Sequence, residues 1–172
     1  TFSLKNERVD EYVNKLTFLQ DKYASKIKIY RALEMDYIEG ISDDFAHWTK
    51  KCKTDYLIGS VHLVSTNNPE KLWFTDGPDP KIYDDGIKEL FEGDIKKAVK
   101  AFFHQTNKMI ETQEFDIIGH LDLIKKFNKE FEFFTENEDW YKEEVIKTLD
   151  LISTTNLIVE MNTGALSRGV QN

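Results

Sequence analysis

The feature that most constrains the fold is an apolar run that recurs four times and ends in polar residues each time. The four runs lie at residues 27–36, 56–62, 115–122 and 157–162. Runs of this kind are typical of parallel strands buried on both faces. The segments between them, such as residues 95–110, carry apolar residues at helical spacing. Alternating helices and strands predict a parallel α/β sheet, either a barrel or an open doubly wound sheet.

The polar residues that end these runs are expected to meet, because ligands bind at the carboxyl ends of parallel strands. Glu34, His62, His120 and Glu160 all lie at or near such ends. A single histidine at a strand end is more often a hydrogen-bonded structural residue than a ligand. Its recurrence beside carboxylates instead favours a site for a divalent metal, since zinc, manganese and iron share these ligand types.

A polar stretch at residues 66–94 interrupts this alternation and contains all three prolines of the chain. Connections of this length often serve as lids or binding loops. Trp73, Phe74 and Asp76 could therefore close over a site, although the aromatic side chains could equally anchor the stretch to the core. Both interpretations remain open from the sequence alone.

Composition narrows the class of partner. The chain has 172 residues, taken here as a single domain over 1–172, and a net charge of −8. An acidic protein repels nucleic acids and anionic membranes, so neither is expected as a partner. Cys52 is the only cysteine, and no apolar run is long enough to span a membrane. These features predict a cytoplasmic protein, in which an anionic small substrate would need a local basic site.

In or directly before four segments, apolar residues lead into His, Asp or Glu: RALEMDYIEG at 31–40, IGSVH at 58–62, DIIGHLD at 116–122 and EMNTG at 160–164. These segments resemble consecutive motifs of the histidinol-phosphatase branch of the polymerase-and-histidinol-phosphatase (PHP) superfamily. LWFTD at 72–76, with EGD at 92–94, is also similar to an insertion of that branch. The resemblance implies a distorted seven-stranded βα barrel. It also implies hydrolysis of L-histidinol phosphate, in histidine biosynthesis, at a site with three divalent metals.

The resemblance also implies roles for individual residues. Glu34 would bridge two metals, while His62 and His120 would each bind one, and water activated by the metals would attack phosphorus. A second group of residues would bind the phosphorylated substrate: Arg168, Lys125 or Lys126, and Asp76. A third group would support the ligands or the fold rather than bind metal: Asp36, Asp122, Glu160 and Asn162.

Three family motifs are missing from this sequence. The family begins with an H-x-H motif, has a further histidine soon after, and ends with an Asp-x-His motif, none of which occurs here. We therefore expect an incomplete portion of the barrel with about four strands, which would be inactive alone. Two alternatives remain: another PHP phosphoesterase or nuclease, and a truncated domain that binds metal without catalysis. A small phosphorylated substrate is the expected partner, and the oligomeric state is left open.

Overall fold

A computed structural model gives the fold of residues 3–66, 68, 70–128 and 132–164. The helices of this part are α1 (Val9–Tyr23), α2 (Phe45–Cys52), α3 (Pro80–Leu90), α4 (Ile95–Thr112) and α5 (Asp139–Ser153). The strands are β1 (Ala32–Asp36), β2 (Tyr56–Ser60), β3 (Leu63–Ser65), β4 (Leu72–Phe74), β5 (Ile117–Ile118) and β6 (Ile158–Val159). None of the described helices is long and apolar enough to cross a membrane.

A parallel sheet in the order β1-β2-β5-β6 organises the described residues. This confirms the predicted α/β class with a parallel sheet. Over the described ranges the sheet is open rather than closed into a barrel, in agreement with the predicted incomplete barrel. Its last strand, β6, leaves Ile158 and Val159 exposed at 62% and 44%.

Strand alternation separates the sheet into two chemically different faces. Leu33 and Met35 of β1 pack against the main core, whereas Glu34 between them lines a cavity. The register between β1 and β2 places Glu34 beside Ile58 and Asp36 beside Ser60. The cavity face therefore collects the polar residues, and the opposite face is apolar.

The main core lies beneath an antiparallel hairpin formed by β3 and β4. Trp73 of β4 is fully buried, and its indole Nε1 donates a hydrogen bond to the carbonyl oxygen of Tyr83 at 3.0 Å. Further aromatic rings surround Tyr83, including Phe127 at 5.5 Å between centroids. Because large buried rings contribute much of the stability of a core, this aromatic group anchors the hairpin to the helices.

The sequence-based order of elements was wrong between residues 65 and 94. It placed neither the hairpin nor α3 there, because the prolines and glycines indicated a loop. Pro80 instead opens α3 directly after Asp79, whose side chain accepts a hydrogen bond from the Lys81 amide. Proline is well tolerated in the first turn of a helix, since the amide it lacks has no intrahelical partner there.

The first predicted strand was also too long. It began at residue 27, but β1 starts at Ala32, where its pairing with β2 begins. Ile27 is 61% exposed, so its β-branched side chain was a misleading signal for a buried strand. Residues 27–31 form an irregular segment before β1. The guanidinium of Arg31, the last residue of this segment, donates to the carbonyl oxygen of Cys52 at 3.1 Å.

Candidate metal centre

Glu34 is the residue on which the candidate site converges. Its Oε1 atom accepts a hydrogen bond from Ser60 Oγ at 2.7 Å. The Nε2 atoms of His120 and His62 lie 3.2 Å and 3.6 Å from the same oxygen. One ligand atom from each of Glu34, His62 and His120 lies within 4.8 Å of the others. The structure thus brings together three residues that are distant in the sequence.

Asp36 holds His62 in place just beyond the end of β2. The Asp36 carboxylate accepts a hydrogen bond from the His62 amide at 2.9 Å. The same carboxylate oxygen lies 3.6 Å from His62 Nδ1, on the opposite side of the ring from Glu34. A carboxylate behind the remote nitrogen of a histidine orients the ring and leaves its other nitrogen for a ligand.

His120 follows β5 in an unusual backbone conformation. Its φ angle is +22°, a region that residues with a side chain rarely adopt. Its amide donates to Glu160 Oε2 at 2.8 Å, and the preceding Gly119 amide donates to the Gly59 carbonyl at 2.9 Å. These hydrogen bonds hold the chain in a strained conformation that turns the imidazole towards Glu34, and such strain is often found at functional sites.

The carboxylate of Glu34 is strongly favoured in its charged form. The hydrogen bond with His120 contributes most, and Ser60 and the charge of His62 add to it against the effect of burial, so the pKa of Glu34 falls to about 2. Burial acts to lower the pKa of His62. The contact with Asp36 and the charges of Asp36, Glu34 and Asp76 outweigh burial, so the pKa of His62 lies above its ordinary value.

A cavity of about 290 Å³ opens beside these three residues. It also contains Asp76 from the segment after β4 and Lys126 from the segment after β5. Lys126 Nζ donates to the Asp76 carboxylate and lies 3.4 Å from the carbonyl oxygens of Asp76 and Gly77. Three further polar residues line the cavity: Asp122, Glu160 and Asn162.

Not every residue expected at the site reaches it. Lys125 does not line the cavity, and its ammonium instead lies 3.0 Å from Asp122 and 3.3 Å from Glu136. The two neighbouring lysines diverge because they lie at the end of a 3-10 turn (Leu123–Lys125). Arg168 lies outside the described residues.

Two contributors to the site were missed by sequence reasoning. Ser60 orients Glu34, and Thr75 donates hydrogen bonds from its amide and its hydroxyl to the His62 carbonyl, each at 2.9 Å. Strand alternation could have indicated Ser60. It lies on the same face of β2 as Ile58, and Ile58 is the residue that pairs with Glu34. Thr75 could not be found in this way, because its role depends on a hairpin that the sequence pattern did not reveal.

The chemistry of these donors fits a divalent metal. Two imidazole nitrogens and a carboxylate are ligands that zinc, manganese and iron accept. Asp36, Glu160 and Ser60 already restrain these three groups through hydrogen bonds. One carboxylate and two imidazoles are nevertheless fewer ligands than three metals require, so the trinuclear site that the resemblance implied stays a prediction.

Comparisons with known proteins show what the chain is similar to. The family model described as "PHP domain" matches residues 7–164. A Deinococcus radiodurans protein named a probable histidinol-phosphatase is 25% identical over 167 residues, covering 97% of this chain and 56% of its own length. A Listeria monocytogenes crystal structure assigned to the histidinol phosphatase HisK superposes with a TM-score of 0.83 at 23% identity, covering 98% of this chain. The chain spans 63% of that solved chain, and the structural likeness bears on the fold alone.

Proposed function

The chain belongs to the PHP domain family, and from this premise we propose that it carries the metal site of a phosphomonoester hydrolase. The proposed substrate is L-histidinol phosphate, which would be converted to L-histidinol and phosphate in histidine biosynthesis. The observation that carries the proposal is the convergence of Glu34, His62 and His120 within 4.8 Å beside a cavity. The name of the Deinococcus radiodurans relative supports the choice of substrate.

Glu34, His62 and His120 would hold the metal. A divalent metal bound there would supply Lewis-acid polarisation of the phosphoryl oxygens and a more acidic water. Glu34 remains ionised across the physiological range, because its pKa is about 2. Its charge is therefore available to a cation without the loss of a proton, which a protonated carboxyl would first have to release.

The remaining cavity residues would bind and orient the substrate. Lys126 is the lysine that lines the cavity, so it is the described residue best placed to bind a phosphate oxygen. Lys125 is less suitable because Asp122 and Glu136 surround its ammonium. Arg168 stays a proposed phosphate ligand on the basis of the resemblance.

The cavity favours a small substrate over the nucleic acid of a nuclease. Its volume of about 290 Å³ is near the lower end of the range for small-molecule sites. It is also lined by four carboxylate residues and a single lysine among the described residues: Glu34, Asp76, Asp122, Glu160 and Lys126. A polyanionic strand would meet strong repulsion at such a surface, in keeping with the net charge of −8.

Phosphate release from metal-depleted protein, before and after addition of Mn²⁺ or Zn²⁺, tests this function. The missing motifs led to the expectation that the chain is inactive alone, whereas the convergence of its three ligands leads us to expect metal-dependent release from L-histidinol phosphate. Glu34→Gln, which removes the ligand charge, should lower kcat/KM roughly 100-fold or more. Glu39→Gln is the matched control, because Glu39 pairs with Lys108 outside the cavity. Metal binding without release from any monoester would instead indicate a non-catalytic domain, and cleavage of an oligonucleotide would indicate a nuclease.

A further inference from the structure

Gln105 of α4 is a buried glutamine that contacts the backbone of two segments at the candidate site. It is 5% exposed. Its Nε2 atom donates hydrogen bonds to the carbonyl oxygens of Tyr37 at 2.6 Å and Leu63 at 2.8 Å. Its Oε1 atom accepts a hydrogen bond from the Ser65 amide at 2.7 Å. A carboxamide has two N–H donors and an oxygen acceptor, so these three bonds use both donors and the acceptor.

The three partners of Gln105 allow one orientation of its carboxamide. A reversed amide would place its oxygen against two carbonyl oxygens and its N–H groups against the Ser65 amide, so none of the three hydrogen bonds could form. Backbone groups that lose their partner inside a protein are costly. The two segments therefore hold Gln105 in a single position, and Gln105 holds the two segments in turn.

The two segments are those that carry Asp36 and His62. Tyr37 directly follows Asp36, the last residue of β1, and Leu63 directly follows His62 at the start of β3. The strand register between β1 and β2 extends as far as Asp36. Beyond that residue, Gln105 joins the two segments through their carbonyl oxygens. The position of Asp36 relative to His62 therefore also depends on a side chain of α4.

We propose that Gln105 is a positioning residue for the candidate metal centre. It does not line the cavity, so it acts by setting the spacing of the segments that carry Asp36 and His62. The Asp36 carboxylate lies 3.6 Å from His62 Nδ1 and orients the ring. A shift between the two segments would therefore move a metal ligand. This inference rests on the proposed function, because it concerns how the metal site of that function is held.

The metal affinity of Gln105→Met tests this role. Methionine keeps an unbranched side chain of similar length, but it provides no N–H donor and only a weak acceptor. We expect the affinity for Mn²⁺ or Zn²⁺ to fall roughly tenfold, the lower end of the effect of partners that orient metal ligands. Titration calorimetry would measure this decrease at a temperature where urea denaturation shows that the variant is folded. Wild-type affinity in folded Gln105→Met would refute the positioning role.

Gln105→Glu measures rescue by a conservative change. A buried carboxyl group that faces two carbonyl oxygens is favoured in its protonated form, in which it donates one hydrogen bond and still accepts another. Gln105→Glu should therefore recover part of the affinity that Gln105→Met loses. Equal losses in the two variants would mean that the hydrogen bonds of residue 105 do not hold the site, and they would overturn the proposal.

Two substitutions serve as controls. Gln113→Met removes a glutamine directly after α4 that accepts a hydrogen bond from the Phe45 amide at 3.2 Å and does not line the cavity. Phe103→Leu truncates a buried ring of α4 that packs against Tyr141. Phe103→Leu should lower the midpoint of urea unfolding, because it leaves a cavity, but both controls should keep wild-type metal affinity. A loss of affinity in either control as large as that in Gln105→Met would refute the positioning role.

Combination with other variants identifies the route. In an Asp36→Ala background, Gln105→Met should cause little further loss of metal affinity, because both residues act on His62. In a Glu160→Ala background the two losses should multiply, because Glu160 acts on His120 instead. Equal further losses in the two backgrounds, or a wild-type protein that binds neither metal, would overturn the proposal. Because these measurements use binding alone, an absence of phosphate release from every monoester would refute the proposed function without altering their result.

Discussion

The two faces of the parallel sheet differ in what holds their side chains. On the cavity face, Glu34 is 47% exposed in its side chain and is restrained by polar contacts with Ser60, His62 and His120. On the core face, Leu33 and Met35 of the same strand pack against a cluster in which Trp73 is fully buried. Adjacent residues of one strand thus serve different purposes. Substitutions on the core face should change stability, and substitutions on the cavity face should change ligand binding.

Trp73→Ala should give the largest effect, and this effect should be on the unfolding free energy alone. Truncation of a fully buried tryptophan typically costs about 3–5 kcal/mol, since it leaves a cavity and removes packing. Trp73 also loses its hydrogen bond to the Tyr83 carbonyl. Chemical denaturation should show this loss, while the folded protein should keep its affinity for Mn²⁺ or Zn²⁺ at low temperature.

Trp48→Ala is the control for this change, because Trp48 lies half-buried on α2, outside the main core. It should cost far less unfolding free energy than Trp73→Ala. A comparable loss in the two variants, or a loss of metal affinity in the folded Trp73→Ala protein, would break the separation between the faces.

Glu160→Ala should give the next largest effect, on metal affinity. It removes the acceptor of the His120 amide, which holds that residue at its φ of +22°. Loss of a partner that orients a metal ligand typically lowers metal affinity about 10- to 100-fold. Titration calorimetry with Mn²⁺ or Zn²⁺ would measure this decrease, and Glu114→Ala, an exposed residue near the other end of β5, should leave the affinity unchanged.

Glu160→Gln separates positioning from simple charge. Glutamine keeps an oxygen acceptor for the His120 amide but carries no charge. If Glu160 acts by positioning His120, Glu160→Gln should recover most of the affinity that Glu160→Ala loses. If the two variants lose the same affinity, Glu160 acts only through its charge, and the positioning role is wrong.

The sequence predicted the elements that follow simple periodicity. The strand ends predicted that Glu34, His62 and His120 would lie close together, and the structure has this arrangement. Backbone contacts were beyond such reasoning. The His62 and His120 amides donate hydrogen bonds to the carboxylates of Asp36 and Glu160. Alternation along one strand predicts the face that a side chain occupies, but it does not predict which residue of a distant segment lies beside it.

The lysines after β5 show the same limit. Lys125 and Lys126 are equivalent in the sequence as basic residues that follow His120. In the structure, Lys125 ends the 3-10 turn and contacts Asp122 and Glu136. Lys126, directly after the turn, contacts Asp76 instead. Helical or strand periodicity carries no information about a 3-10 turn of three residues.

The last predicted effects concern two glycines that face opposite sides of the sheet. A β-carbon on Gly59 would lie 2.9 Å from the Phe115 ring and 3.0 Å from Met109 Sδ. A β-carbon on Gly119 would lie 2.4 Å from Ser60 Oγ. Gly59→Ala therefore crowds the core face, whereas Gly119→Ala crowds the hydroxyl that orients Glu34.

Ser60 provides the decisive test of this difference. Ser60→Ala should lower metal affinity roughly three- to tenfold, because one hydrogen bond to the Glu34 carboxylate is lost. Gly119→Ala should lower it by a similar factor, since the added methyl group displaces the same hydroxyl. The double variant should lose no more affinity than either single one, because residues that act through one contact are not additive.

Gly59→Ala should instead lower the unfolding free energy by about 1–3 kcal/mol, as overpacking does, with metal affinity unchanged. Additive losses in the double variant would mean that Gly119 reaches the metal site by a route other than Ser60, such as the backbone of His120 that follows it.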